Sequence, residues 1–266
     1  MSLLTAFVKR DFRLERSYRL AFVTQIAGAF TTLLQAGFLS HLVPSQQHAL
    51  RPYGGDYFTF ALVGTAALSY FSVALGSFSG SLGQEQQQGT LEALLVTPNE
   101  PRRLLLYGAA WPFLFATIEL ILYTTVGALL FHAHIAYDNL ALATGMLFLT
   151  LAAFSAVGLL VSSVIVLTKR AGLLTGMIGS AFALFGGVLY PISVLPRPLQ
   201  WLANALPMSH GLDGVRRALT ATPDMGAIGQ DALVLAVFAV LLTPLALQVF
   251  EWAVARARRQ GSLSHY

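Results

Sequence analysis

LALATGMLFLTLAAFSAVGLLVSSVIVLT, residues 140–168, carries no charged side chain over its whole length. It exceeds the roughly 20 residues that a helix needs to cross a hydrocarbon core of about 30 Å. It shows no strand-like alternation, and lipid offers the backbone no hydrogen-bond partner, so the helix is the form that satisfies it. Five runs of the same kind flank it, at about 20–43, 57–80, 104–131, 171–191 and 231–254. The chain of 266 residues is 56% hydrophobic and only 11% charged, where soluble domains run nearer a quarter charged. The sequence therefore predicts an all-α integral membrane protein with six transmembrane helices.

Working outward from these runs, the charges set an orientation. Lys9, Arg10, Arg13, Arg16, Arg19, Arg102, Arg103, Lys169, Arg170, Arg256, Arg258 and Arg259 fall on one side of the predicted spans. Only Arg51, Arg197, Arg216 and Arg217 fall on the other. Lys and Arg gather on the cytoplasmic side, so both termini are expected in the cytoplasm of a cell bounded by a plasma membrane, the inner membrane if the cell is bacterial. The same distribution assigns the net charge of +4 to topology and not to nucleic-acid binding. Cysteine is absent, which excludes disulfides, thiol catalysis and thiolate metal sites. Charged residues from Lys9 to Arg19 interrupt the place where a signal peptide would have its apolar core, so the first span is expected to stay in the mature protein.

Residues 1–19 form a candidate interfacial helix. Leu3, Leu4, Phe7, Val8 and Phe12 share one side and Lys9, Arg10, Arg13 and Arg16 the other, with Asp11 and Glu15 intruding on the apolar arc. Residues 20–266 then make up the transmembrane domain. Thr24, Gln25, Gly28, Thr31, Thr32 and Gln35 line one stripe of its first span. An amide facing lipid has no partner, so the stripe meets either another helix or a wet pathway. Glu119 lies midway along the third span, with no Lys or Arg at similar depth in any span. A central carboxylate costs about 2.5–3.5 kcal/mol on insertion scales and faces a bundle interior or a cavity. It is either a pathway or coupling site, or an interhelical hydrogen bond to hydroxyl, amide or water. His132 and His134 make a His-x-His pair without the further ligands that a metal site needs, so no metal site is expected.

From residue 192 the pattern changes. Pro191, Pro196, Pro198 and Pro207 break helices, and the apolar pieces between them are too short to span. The stretch 192–222 reads as short helices dipping at the outer face, with Trp201 at the interface. Asp213 is placed to pair with Arg216 or Arg217 by helical spacing.

Between the second and third spans lies a polar, acidic insert, QEQQQGTLEALLVTP, residues 84–98. Thr90 can cap a short helix, Glu92 suits its first turn, and Gly89 permits the turn into it. Leu91, Leu94 and Leu95 are apolar knobs beside Glu85 and Glu92, and Thr97-Pro98 starts the next helix. Such a helix docks into a groove on another protein or serves as an interfacial connector.

The run Gly89–Pro98, with Glu85 upstream, resembles the signature of ABC-2 type transporter permeases. So does Gly186-Gly187-Val188-Leu189-Tyr190-Pro191-Ile192-Ser193-Val194-Leu195-Pro196, continuing through Leu206-Pro207-Met208-Ser209-His210. The resemblance implies that residues 84–97 are a coupling helix docking on a nucleotide-binding subunit. It also implies that the outer segment with Tyr190, Pro191, Leu195 and Pro196 helps to close the outer side of a pathway. The expected partners are two cytoplasmic ABC ATPases, a second permease, a homodimer being the first expectation, and the lipid bilayer around the permeases. The family includes exporters of drugs, lipids and lipid-linked or polymeric glycans.

Only Lys9 and Lys169 are available as lysines, and neither follows a Gly-x-x-x-x-Gly pattern. ATP and Mg are therefore expected on the partner, with no cofactor on this chain and no enzymatic centre of its own. Two other classes are weighed against this reading. A proton-coupled secondary transporter would use Glu119, and internal repeats, which would favour it, are not evident. A membrane-embedded enzyme using His132 and His134 has no nucleophile or metal set to work with.

Overall fold

A computed structural model describes residues 3–17, 19–42, 48–87, 101–131, 133, 135–168 and 171–259. Among these the regular elements are all helical. They are α1 (Leu3–Ser17), α2 (Arg19–Leu42), α3 (Tyr57–Gln87), α4 (Pro101–Phe131), α5 (Leu140–Thr168), α6 (Ala171–Phe185), α7 (Arg197–Asn204), α8 (Pro207–Ala218) and α9 (Met225–Arg259). Each of the six apolar runs falls on a helix. Among the described residues four stretches are long and apolar enough to cross a bilayer: Tyr57–Gly76, Ala110–Phe131, Tyr137–Thr168 and Met225–Arg256. The apolar part of α6, Gly176–Phe185, is shorter.

α5 is the axis of the bundle. It packs along α9 on one side and α3 on another, and α8 crosses it. α3 and α5 bury most of their span surfaces inside the chain, whereas α4 and α9 bury little. Leu129, Leu130 and Ile121 on α4 and Leu233, Val240 and Leu241 on α9 are exposed. Lipid tails are as apolar as leucine, so exposed side chains of this kind cost nothing there. Helix association in such a medium relies on close packing, and the contacts show it. Phe154 of α5 stacks on Phe71 of α3 with ring centroids 5.0 Å apart and meets Phe182 of α6 at 4.9 Å. Gly211 and Gly214 let α8 seat directly on Thr150 and Met146 of α5.

α1 lies against α4 through Phe7 on Tyr107 and Phe12 on Trp111, at 6.1 and 5.4 Å between centroids. Asp11, the acidic intruder on the apolar arc, receives the Arg10 Nε–H at 2.8 Å, and Arg10 also covers the Phe7 ring. The acidic residue is thus neutralised where it stands.

The fifth apolar run ends earlier than hydropathy suggests. α6 stops at Phe185, because Gly187 turns the chain with φ +72°, a conformation that side chains with a Cβ avoid. The Gly-Gly pair thus converts what reads as continuous apolar sequence into a helix end.

The α3–α5 contact depends on one missing methyl. A Cβ on Gly158 would sit 2.6 Å from the Ala74 carbonyl oxygen, so the helices would have to part. Gly145 on the same helix has nothing within 4 Å of that position. Gly158→Ala is expected to lower the thermal midpoint of the detergent-purified protein, with overpacking costing about 1–3 kcal/mol. Gly145→Ala should leave it unchanged or slightly higher. Melting curves followed by size-exclusion fluorescence check the pair, and equal midpoints would contradict the packing.

Candidate functional site

The loops at one end of the bundle gather into a cap. It comprises the 48–56 loop, the 135–139 connection and everything from Gly186 to Asp224. Its backbone is tied across elements, as where the Ala136 N–H donates to the Leu219 carbonyl at 3.0 Å. Asp56 caps the start of α3 by accepting the Phe58 and Thr59 N–H groups at 3.1 and 3.0 Å.

The centre of the cap is Arg216 of α8, 4% exposed. Its Nε–H donates to the Phe60 carbonyl at 3.2 Å, one Nη to the Gly187 carbonyl at 2.7 Å and the other to the Val188 carbonyl at 2.5 Å. The guanidinium also lies on the Phe60 ring, 3.5 Å from its centroid. The chain just past α6 carries carbonyls that a helix no longer satisfies, at the negative end of that helix dipole, and an arginine answers both needs. Each hydrogen bond to a charged group is worth about 1.5–3 kcal/mol, against a desolvation cost of several kcal/mol for burying the ion. Burial lowers the Arg216 pKa to about 10, against the raising influence of Asp213, so the group is still a cation at neutral pH.

The close fit has a sequence cause. A Cβ at Gly64, one turn after Phe60, would collide with the Arg216 guanidinium and the Val188 carbonyl. Gly64 on α3, Gly187 after α6 and Arg216 on α8 are therefore one device drawn from three places in the chain. Tyr57 adds to it by donating its hydroxyl to the Leu189 carbonyl at 2.9 Å.

Asp213 does not pair with an arginine as helical spacing suggests. Its Oδ1 accepts the Tyr53 hydroxyl at 2.9 Å, tying α8 to the 48–56 loop, and the ring of Tyr53 carries the Arg217 guanidinium at 5.7 Å. Burial raises the Asp213 pKa, with the charge of Arg216 opposing it.

A second tie joins α7, α8 and α9. His210 Nδ1 lies 2.8 Å from Asp231 Oδ1, and its Nε2 lies 2.9 Å from the Asn204 carbonyl oxygen. Both partners are acceptors, so both bonds form together only when both ring nitrogens carry a proton. The hydrogen bond to Asp231 is the main reason the His210 pKa is raised, with Asn204 and the charges of Asp231 and Asp213 adding to it and burial opposing.

The predicted outer-segment residues converge here. Pro191 is buried, and Tyr190 donates its hydroxyl to the Leu184 carbonyl. The Leu195 carbonyl accepts from Gln200 Nε2 at 2.7 Å, and Pro196 stands at the start of α7. The predicted pathway residues are not gathered at one place. Thr24, Thr31 and Gln35 are exposed along α2, while the side chains of Gln25 and Thr32 lie outside the described residues. Glu119 is half-buried on α4 and bonded to Tyr123 one turn away on the same helix, so this bond lies within α4 and not between helices. Glu85 falls in the last turn of α3 by its backbone. Gly89, Thr90, Leu91, Glu92, Leu94, Leu95, Thr97 and Pro98 lie outside the described residues, as do His132 and His134. Among the described residues no group of three His, Asp or Glu side chains is placed to hold a metal.

Sequence reasoning missed Tyr53, Tyr57, Gly64 and Asp231, and named His210 only as part of a motif. The one available signal was Arg216 itself, an arginine in a stretch that the charge count assigns to the side poorer in Lys and Arg.

Four apolar helices of spanning length, joined through a cap of short helices and turns, define a polytopic integral membrane protein. A family model for the ABC-2 type transporter matches residues 2–220, from α1 through α8. The chain belongs to that family, whose members are the membrane components of ABC transporters and work with a cytoplasmic ABC ATPase. A search of curated proteins found no match.

The His210 bridge carries a pH dependence of known sign. Below the ordinary histidine value of about 6.5 the ring is charged folded or unfolded, and the bridge contributes fully. As pH rises through the higher folded value, that contribution is lost. The melting temperature should fall across this window in the wild type and lose that component in His210→Gln, read by scanning fluorimetry between acidic and mildly alkaline buffers. Parallel profiles for the two proteins would contradict the bridge.

Proposed function

We propose that this chain is the permease subunit of an ATP-driven exporter. It pairs with a second permease, first of all another copy of itself, around a central pathway, and two cytoplasmic ATPases carrying ATP and Mg grip the 84–97 segments. In this reading all six apolar helices span the bilayer of the plasma membrane, bacterial inner membrane included. Both termini are cytoplasmic, α1 lies at the inner interface, and the cap is the outer gate. The substrate class is an amphipathic drug or lipid-like molecule, or a lipid-linked glycan.

The observation that carries the reading is the family match over residues 2–220, together with the Gly89–Pro98 and Gly186–Pro196 motifs. The position of α3 supports it, since this helix runs from the cap directly into the polar insert. α2 supports a protein or aqueous neighbour for its exposed face, because the amide of Gln35 is poor company for lipid.

The docking role is tested by purifying the tagged protein from gently solubilised native membranes and identifying what accompanies it by mass spectrometry. An ATP-binding subunit is expected in the wild type, and Glu92→Lys is expected to lose most of it while the membrane domain keeps its thermal midpoint. Retention at wild-type levels would remove Glu92 from the docking set. Complete absence of an ATPase, under conditions that preserve a control complex, would transfer the argument to Glu119 and proton coupling.

A further inference from the structure

We infer that Arg216 is a positioning residue of the transport cycle: it joins α3 to the cap, so that displacement of the cytoplasmic end of α3 reaches the outer gate as one rigid movement. The inference rests on the function proposed above and specifies the route by which the ATPase acts.

α3 is suited to carry such a movement. It is one helix from Tyr57 to Gln87, 31 residues without a proline, and so about 46 Å long at 1.5 Å per residue. Its last turn contains Glu85 and leads into the polar insert. The helix on the other side of the insert, α4, contains Pro112 within its span, packs against α3 and reaches the edge of the cap where the Ala133 N–H donates to its Gly127 carbonyl at 3.3 Å. A proline removes one hydrogen bond from a helix, and α3 contains none.

At the far end α3 continues into the 48–56 loop, and its grip on the 186–191 turn and α8 is made by Arg216 and reinforced by Tyr57. Arg216 holds the Phe60 carbonyl of α3 with one donor and the Gly187 and Val188 carbonyls with two others. Tyr57 of α3 holds the Leu189 carbonyl. The missing Cβ of Gly64 brings the two sides into direct contact. A lysine has the charge but not the planar fork, so it cannot hold carbonyls on both sides of the joint at these positions. A mere helix cap would need the Gly187 and Val188 bonds alone; the bond to Phe60 and the ring contact add the connection to α3.

The test uses the complex of the permease with its co-purified ATPase. The permease contains no cysteine, so Ala221→Cys, on the exposed stretch just past α8, reports the cap alone when permease labelling is read. Its reaction rate with a membrane-impermeant maleimide is measured without nucleotide and after trapping with ATP and vanadate. A several-fold nucleotide-dependent difference is expected in the Arg216 background. In Arg216→Lys the ratio should fall to near unity, with ATPase co-purification and basal ATP hydrolysis retained. Tyr57→Phe removes a single hydroxyl and should reduce the ratio partially. It serves where Arg216→Lys does not accumulate, and an unreduced ratio in a well-folded Tyr57→Phe complex would then count against the joint. A full response in Arg216→Lys overturns the inference and leaves the permease assignment standing. Absence of any ATPase from the preparation overturns both.

Discussion

A backbone carbonyl buried at the end of a helix must find a donor, and near a membrane water is not always there to provide one. In this protein the carbonyls of Gly187 and Val188 are in that position, and the Arg216 guanidinium answers them. Much of the cap follows from that demand. Arg216 can be there only because α8 is seated on α5 through Gly211 and Gly214, and because Gly64 gives α3 a flat place to meet it. Its charge is tolerated because carbonyl dipoles, the α6 terminus and the face of Phe60 replace the water it lost. Arg216 is therefore a buried ion satisfied by backbone carbonyls and the Phe60 ring.

This gives the ABC-2 motif around Gly186–Pro196 a physical meaning. The glycines end α6 and turn the chain, the buried Val188 and Pro191 seat it, and the carbonyls left without a helical partner are taken by Arg216 and Tyr57. A sequence pattern that marks the family is, at the level of atoms, a helix terminus that needs a partner from a distant helix. The cap is held by these directional contacts together with apolar packing, in which Met208, Leu212 and Val215 of α8 are buried against the bundle.

Much of the architecture was legible in the sequence because hydropathy reports helices directly. The runs at 57–80, 104–131, 140–168 and 231–254 correspond to helices with spanning stretches, and the prolines at 196, 198 and 207 announced the short ones. What was not legible depends on tertiary partners. Asp213 has Arg216 and Arg217 at helical spacing, yet it takes the Tyr53 hydroxyl, because Arg216 is already committed to three carbonyls. Carbonyls have no sequence signature, so the partners of Arg216, as far as 156 residues away, are invisible to pattern reading. Hydropathy also carried the fifth run through to residue 191, since Val188 and Leu189 are apolar; only the glycine pair signalled the turn. The docking role of residues 84–98 rests on chemistry and resemblance, and its atoms lie almost wholly outside the described residues.

The central claim is that one unbroken helix links the ATPase-docking segment to a cap locked by Arg216. A cryo-electron-microscopy map of the nucleotide-bound complex tests it most directly. The account predicts α3 continuous from the docked 84–98 segment to Tyr57, with the Arg216 guanidinium within hydrogen-bonding distance of the Phe60, Gly187 and Val188 carbonyls. A break within α3, or Arg216 turned out toward the pathway or the lipid headgroups, would contradict it.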